Sequence, residues 1–153
     1  MGNHAYTHPD MRTLSTEQIR LELRKTNQVI EKELAFKPKL FTPPYGYFDQ
    51  RIIDLAAQEN MLTILSTLDT LDWKITDPEE VSRRIIPNLK NGSLILMHPT
   101  ESSIKALPAM LDAAHEKSYK IGTITEVLSP YKELLRFSLI KGCTTFSSCL
   151  INA

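Results

Sequence analysis

The sequence lacks a long apolar run and an excess of charge of either sign. No stretch approaches the roughly 18 consecutive apolar residues that a membrane-spanning helix requires, so we expect no such helix. Basic residues number 18 and acidic residues number 18, which makes the formal net charge zero. Nucleic acids and anionic membrane surfaces select partners with a basic excess, so neither is expected as the main partner.

Cysteine is nearly absent, and Cys143 and Cys149 both lie in the C-terminal segment. Two thiols this close together support neither a disulfide framework nor a four-ligand metal site. The opening residues, Met1 to His4, have neither the basic region nor the apolar core of a secretory signal, so none is expected in this sequence. What is present is typical of one globular domain: 153 residues, of which 42% are hydrophobic and 24% are charged.

Amphipathic helices and apolar strands alternate along the chain. The helix starts are marked by capping residues: Ser15 with Gln18 three positions later, Asp49, Asp77 before Pro78, and Ser102 or Ser103. The expected strands are the apolar runs at residues 39–42, 61–68, 93–97 and 120–127. This order predicts an α/β fold in which helices cover a parallel sheet. After Pro130 the pattern stops, and residues 131–153 are predicted to form a poorly ordered tail.

Polar and aromatic side chains follow three of these strands. They occupy residues 42–46, 69–73 and 98–100. In parallel α/β folds, ligands bind at the carboxyl ends of the strands. We therefore expect the functional site to be built from these three segments.

Histidine supplies the first candidates for chemistry. His4 and His8 are four residues apart, so on a helical turn they would face the same way and could bind one metal ion. The alternative is a pair of surface histidines, because two protein ligands are too few for a tight site. His98 ends the most apolar strand, where it is either a hydrogen-bonded core residue or a general acid or base. His115 is expected to be a surface residue.

Two carboxylates and an indole follow the second of these strands. Asp69 and Asp72 flank two residues, and Trp73 comes next. A carboxylate beside a histidine holds its tautomer and raises its pKa, as a general acid requires. The alternative is that one aspartate only caps a turn. Trp73 is either a core residue or part of the wall of a small apolar pocket.

Four motifs occur in order and together carry a resemblance. They are Gly2-Asn3-His4-Ala5-Tyr6-Thr7-His8-Pro9, Phe41-Thr42-Pro43-Pro44-Tyr45-Gly46, Asp69-Thr70-Leu71-Asp72-Trp73-Lys74 and Leu94-Ile95-Leu96-Met97-His98-Pro99. Over about residues 1–130 the chain resembles the polysaccharide deacetylases with a NodB homology domain, which form carbohydrate esterase family 4. The Leu-Met-His-Pro-Thr segment further resembles Bacillus-type members associated with sporulation or the cell wall.

The resemblance implies a fold, an activity and a set of roles. The fold would be an incomplete, distorted (β/α) barrel lacking its first strands, with residues 1–130 as a partial NodB-like domain. The activity would be metal-dependent removal of acetyl groups from chitin-like glycans or peptidoglycan, with zinc as the expected divalent metal. The implied roles are metal ligation by His4 and His8, acid catalysis by His98 tuned by Asp69 or Asp72, an acetyl pocket lined by Trp73 and Leu96, and oxyanion stabilisation by the backbone N–H of Tyr45.

The sequence departs from the family pattern in three places. It contains no Thr-Phe-Asp-Asp-Gly strand end, which in the family supplies the catalytic base and the third metal ligand. Thr42 occupies the position of an arginine that orients the base, and Ala5 that of a Ser or Thr supporting the metal histidines. Three interpretations follow: a truncated gene product, a glycan-binding pseudoenzyme, or an enzyme that recruits a substitute ligand such as Asp10.

Overall fold

The computed structural model describes residues 1–129 and confirms the alternation of helices and strands. By their internal contacts the described residues form two units, Met1–Leu65 and a second one that begins at Ser66. No helix within residues 1–129 is long and apolar enough to cross a membrane. The helices are α1 (Thr16–Leu34), α2 (Gln50–Gln58), α3 (Pro78–Ile85), α4 (Glu101–Glu116) and α5 (Ile124–Val127), and the strands are β1 (Leu40–Phe41), β2 (Leu62–Thr63), β3 (Leu68–Asp69) and β4 (Ile95–Leu96).

The first unit is built on two capped helices. The Ser15 hydroxyl accepts from the Gln18 N–H, and the Gln18 side chain accepts from the Ser15 N–H, which satisfies two donors at the start of α1. Asp49 caps α2 through the Ile52 N–H. Both helix starts were predicted from the sequence, and both predictions are confirmed.

A short parallel pair of strands completes the first unit. Phe41 of β1 lies opposite Thr63 of β2, and Asn3 forms an isolated parallel bridge on the other side of Phe41. The N-terminal segment is thereby tied to the carboxyl end of β1. The core is formed by eight buried side chains: Met11, Ile19, Leu23, Phe41, Ile52, Leu55, Ala56 and Met61.

The second unit has its own parallel pair and its own core. Leu68 and Asp69 of β3 lie opposite Ile95 and Leu96 of β4. Helix α3 begins with Asp77 as its cap and Pro78 in its first turn, as the sequence predicts. The core is formed where α3 and α4 pack together, through Val81, Ile85, Ala106 and Met110.

Three boundary predictions are wrong. The apolar run 61–68 contains two strands rather than one, because its first part pairs with β1 and its end pairs with β4. Helix α4 is capped by Thr100 rather than by a serine, since the Thr100 hydroxyl accepts from the Ser103 N–H. Residues 120–127 do not form a strand. Thr123 and Glu126 make a capping box there, and the short helix α5 follows.

The predictions for the C-terminal segment concern residues outside the described part. The tail at 131–153 and both cysteines lie beyond residue 129. The boundary of the predicted domain at residue 130 therefore stays a prediction.

Candidate functional site

The structure brings His4 and His8 together, although by a different route from the predicted one. Their ring centroids are 4.9 Å apart, with the rings edge to face. Residues 4–8 are a non-helical loop, so the expected helical turn is wrong. Ala5 and His8 have φ angles of 60° and 56°, a left-handed conformation that folds the loop back on itself and places the rings side by side.

A buried asparagine anchors the start of this loop. Asn3 is 1% exposed, and its Nδ2 group donates to the Leu23 carbonyl and to Asn27 Oδ1, each at 2.8 Å. Its Oδ1 atom accepts from the Ala5 N–H at 2.9 Å. Asn3 thus joins the residues on either side of His4 to helix α1, a role that the sequence analysis missed.

Glu22 of α1 anchors the rest of the loop. Its Oε2 atom accepts from the N–H groups of Tyr6 and Thr7 at 2.8 and 2.7 Å, and its Oε1 atom accepts from the Thr7 hydroxyl at 3.0 Å. One carboxylate therefore receives three hydrogen bonds from the segment between the two histidines. Nothing in the sequence near the motif indicated Glu22, since it lies fifteen residues beyond Thr7.

The His4 ring is oriented by the backbone that follows β1. Its Nδ1 atom lies 2.7 Å from the Thr42 carbonyl oxygen. A carbonyl only accepts, so this contact favours a proton on Nδ1 and leaves the lone pair on Nε2. Metal-binding histidines are commonly oriented in this way. Thr42 thus orients His4 through its backbone carbonyl.

The donor set does not fit a closed metal site. Within residues 1–129 no group of three or more His, Cys, Asp and Glu side chains is placed to hold a metal ion. Asp10, the candidate substitute ligand, instead receives hydrogen bonds from the Arg12 guanidinium at 2.7 and 3.0 Å. These bonds from Arg12 hold the pKa of the Asp10 carboxyl below its usual value. Two imidazoles remain, which is too few for tight binding.

Aromatic rings extend from the histidine pair. The His8 ring meets the Tyr45 ring at 4.6 Å, and Tyr45 is 5.8 Å from the Tyr47 ring, whose face is covered by Arg12 at 4.0 Å. Tyr45 is 61% exposed and has a φ angle of 59°. Its ring therefore lies at the surface beside the histidines. The predicted role of its backbone N–H stays a prediction.

The second unit contains a histidine–carboxylate pair. Asp72 Oδ1 lies 2.7 Å from His98 Nδ1, and Asp72 Oδ2 accepts from the His98 backbone N–H at 2.6 Å. Ser103 of α4 also donates its hydroxyl to Oδ2. The Asp72 side chain is fully buried, whereas that of His98 is 42% exposed. The pair thus has a buried anchor and an accessible imidazole.

The charge state of Asp72 follows from its hydrogen bonds. Burial by itself raises the pKa of the Asp72 carboxyl, but the hydrogen bonds from Ser103 and from the ring and backbone of His98 outweigh burial and lower that pKa. The ionised carboxylate accepts at Oδ1, so the proton of the His98 ring belongs on Nδ1. Nε2 is then the atom that can exchange a proton with a substrate.

Asp69 has a different place from Asp72. Its Oδ1 atom accepts from the Leu71 N–H at 2.9 Å and so closes the turn that carries Asp72. Leu71 has a φ angle of 53° in this turn. Of the two candidate aspartates, Asp72 is the one that contacts His98. The Asp69 carboxylate instead stabilises the turn that connects Asp69 to Asp72.

The predicted pocket residues lie on the same elements. Trp73 follows Asp72 directly and is 64% exposed, so its indole is not a core residue of the second unit. Leu96 is half-buried in β4, opposite Asp69. Neither position tests the predicted contact with an acetyl methyl group.

Left-handed backbone marks the motif loops. Seven described residues other than glycine have a positive φ. Such conformations cost about 1–3 kcal/mol each in residues other than glycine and concentrate at functional sites. Ala35, Asn60 and Ser118 lie just after helices α1, α2 and α4, where this conformation is common, whereas Ala5, His8, Tyr45 and Leu71 lie in the sequence motifs.

Comparison with known sequences finds a family. A profile described as polysaccharide deacetylase matches residues 1–64. The protein YlxY of Bacillus subtilis is 42% identical over 128 residues, which are 84% of this chain and 40% of YlxY. The peptidoglycan-N-acetylglucosamine deacetylase of Bacillus cereus is 26% identical over 87% of this chain and 50% of its own length. The chain therefore spans half or less of the length of these two relatives.

Comparison with solved structures agrees. BA3943 of Bacillus anthracis, described as a CE4 family pseudoenzyme, superposes with a TM-score of 0.80 at 43% identity, covering 83% of this chain and 45% of that one. A structure described as T48 deacetylase with substrate gives a TM-score of 0.78 at 34% identity, over 84% of this chain and 64% of that one. Similarity in both sequence and fold thus extends through the two units.

Proposed function

The chain belongs to the polysaccharide deacetylase family, and from this membership we propose that it acts on acetylated polysaccharide of the peptidoglycan or chitin-like type. The observation that carries the proposal is the His98–Asp72 pair, in which a buried ionised carboxylate holds an accessible imidazole. The relative from Bacillus cereus supports the glycan class, since it is described as acting on N-acetylglucosamine in peptidoglycan. The alternating elements agree with the distorted (β/α) barrel that the family resemblance implied.

The imidazole of His98 is suited to acid catalysis. In hydrolysis of an acetamide, the oxygen of a water molecule bonds to the acyl carbon, and the bond between that carbon and the sugar nitrogen breaks. The products are acetate and a free amine, and the departing amine needs a proton. Asp72 holds a proton on His98 Nδ1, and Nε2 of the protonated ring donates its proton to the sugar nitrogen. His98 is then neutral and can take up a proton from solvent. In this scheme His98 is the catalytic residue, and Asp72 positions it.

The remaining predicted residues receive supporting roles in the proposal. Trp73 and Leu96 line the pocket for the acetyl methyl group, and the Tyr45 N–H donates to the oxyanion that develops on the acyl oxygen. Asp69 acts through the turn that presents Asp72. A functional domain over residues 1–130 contains all of these positions.

The two N-terminal histidines are proposed to bind a divalent metal weakly. Imidazole nitrogen suits zinc, and the contact of His4 Nδ1 with the Thr42 carbonyl favours the tautomer that a metal ligand needs. Zinc titration followed through the ring resonances of His4 and His8 tests this proposal. His4→Ala should abolish the shift at His8, and His115→Ala, on the exposed end of α4, should leave it unchanged. A full response at His8 in the His4→Ala variant would contradict a shared ion.

A second candidate function is glycan binding without hydrolysis. Two features favour it: the donor set of two imidazoles in the described residues, and the 43% identity to a protein described as a pseudoenzyme. The proposal of glycan binding is common to both candidates. They differ only in whether acetate is released.

One experiment separates the two candidates. The full chain is incubated with N-acetylated chito-oligosaccharide and with peptidoglycan fragments, with zinc or cobalt added, and acetate is measured. The fluorescence of Trp73, the single tryptophan, reports binding in the same samples. Acetate that disappears in His98→Ala supports the deacetylase, and a saturable fluorescence change without acetate supports the binding protein. If neither signal occurs, both proposals are wrong.

A further inference from the structure

The hydroxyl of Ser103 is directed at the buried carboxylate of Asp72. Ser103 is 1% exposed and lies in the first turn of α4, and its Oγ donates to Asp72 Oδ2. The same oxygen accepts from the His98 N–H, while Oδ1 faces His98 Nδ1. The carboxylate therefore has three donors, and Ser103 is the one that does not come from His98.

The start of α4 does not account for this hydroxyl. Thr100 is the cap, and it uses the backbone N–H of Ser103, not its side chain. The neighbouring Ser102 is also buried, but its hydroxyl donates to the Ile75 carbonyl at 2.9 Å. Two adjacent buried serines thus serve different acceptors, and only one of them reaches the carboxylate.

We infer that Ser103 is a positioning residue, whose hydroxyl keeps the Asp72 carboxylate ionised and aligned on His98 Nδ1. A hydrogen bond to a buried carboxylate stabilises its charged form, and the charged form is the one that holds the imidazole proton on Nδ1. The inference concerns how the pair is held. A role of Ser103 in catalysis rests on the proposed function. The titration that tests the contact between Ser103 and Asp72 does not depend on it.

Other charged groups near the pair are accounted for by different contacts. The Asp69 carboxylate accepts from the Leu71 N–H, and Arg84 of α3 reaches the carbonyl of Asp69. Glu101, in the first turn of α4, is exposed and paired with Lys105 at 2.6 Å. Among the described residues, the hydrogen bonds assigned to the Asp72 carboxylate come from His98 and Ser103.

The test is a titration of the full chain by nuclear magnetic resonance. The Asp72 carboxyl carbon gives its protonation midpoint, and the two ring nitrogens of His98 give the tautomer. In Ser103→Ala the affinity of the carboxylate for a proton should rise about tenfold, since one hydrogen bond to the ionised form is lost. The fraction of His98 with the proton on Nδ1 should fall. Ser102→Ala, the matched control, should change neither quantity.

Three further outcomes decide the inference. Ser103→Thr retains a hydroxyl and should restore the midpoint and the tautomer. In an Asp72→Asn background, Ser103→Ala should leave the His98 tautomer as it is, because the charge on which it acts is gone. A folded Ser103→Ala protein with an unchanged Asp72 midpoint would overturn the inference. Acetate release is not measured here, so failure of this test leaves the proposed function standing.

Discussion

His4 and His98 are held by partners of different charge. The Nδ1 atom of His4 faces the neutral Thr42 carbonyl, which orients the ring. The Nδ1 atom of His98 faces the Asp72 carboxylate, which orients the ring. The partner at Nδ1 thus sets the ring orientation on which the proposed role of each histidine depends.

Replacing Asp72 by Asn should weaken the fold in a pH-dependent way. The pKa of Asp72 is lowered from 3.8 in the folded chain, so its stabilisation is present above pH 3.8 and is lost as pH falls through the lower folded value. Near neutral pH, Asp72→Asn should cost about 1–3 kcal/mol of the free energy of unfolding, because the charged hydrogen bonds weaken. Below pH 3.8 the difference between the variant and the unmodified chain should shrink. Denaturant unfolding at a series of pH values measures this.

Asp112→Asn is the control for this measurement. Asp112 is exposed on α4, so its replacement should change the unfolding free energy little at any pH in the series. A loss in Asp72→Asn that is the same at pH 3 as at pH 7 would show that the effect is not one of charge.

For individual residues, the sequence predicted which side chains meet better than it predicted which residues hold them in place. His98 and an aspartate partner could be predicted, because both follow strands at the edge where parallel folds place their ligands. Glu22, Asn27 and Ser103 could not, since each acts on a residue at least fifteen positions away. Contacts at such separations depend on how helices pack on strands, and no local pattern specifies that.

Helix α1 supports a loop as well as a core. Ile19 and Leu23 face the hydrophobic core of the first unit, while Glu22 and Asn27 hold the segment that contains the histidine pair. Helical periodicity explains both functions, because neighbouring faces of one helix meet different structures. The conformation of the loop that carries His4 and His8 therefore depends on which residues of α1 face it.

Removal of the Glu22 carboxylate should loosen the histidine loop. Glu22→Ala deletes the acceptor of the Tyr6 and Thr7 N–H groups, and amide hydrogen exchange at these two positions should become about tenfold faster or more. Glu31→Ala, an exposed position on the same helix, should leave both rates unchanged. Unchanged protection of Tyr6 and Thr7 in Glu22→Ala would mean that Asn3 alone holds the loop.

Helices were predicted more accurately than strands. The capping side chains of α1, α2 and α3 are local signals, and each lies where the sequence places it. The strands are two residues long, so partners distant in sequence determine where they begin and end. The segment 120–127 shows the competition: its β-branched residues favoured a strand, but the capping box of Thr123 and Glu126 closes a helical turn.

The whole chain has equal numbers of acidic and basic residues, so its formal net charge at pH 7 is zero. Each described unit has its own apolar core, one around Phe41 and one around Ile85. Charge therefore contributes to solubility and partner choice rather than to the choice of fold. Binding to an uncharged chitin-like glycan requires no net charge, which agrees with that form of the proposed partner.

Solubility should be lowest near pH 7, where the formal net charge is zero. Precipitation by polyethylene glycol, measured from acidic to alkaline pH, should show this minimum. The double variant Lys37→Glu and Lys90→Glu changes the charge by two at each exposed position, from zero to −4, and should raise solubility at pH 7. If the solubility minimum stays at pH 7 in the double variant, apolar contacts rather than net charge cause it.

The left-handed residues divide the chain into places where engineering for heat tolerance is safe and places where it is costly. Glycine at Ala35, Asn60 or Ser118 would suit the backbone after a helix and relieve strain at positions outside the motif loops. The same replacement at Tyr45 or Leu71 would relieve comparable strain, yet it would give the loops that carry the proposed site residues more accessible conformations. The same kind of substitution would thus raise thermal stability at one set of positions and loosen the motif loops at the other.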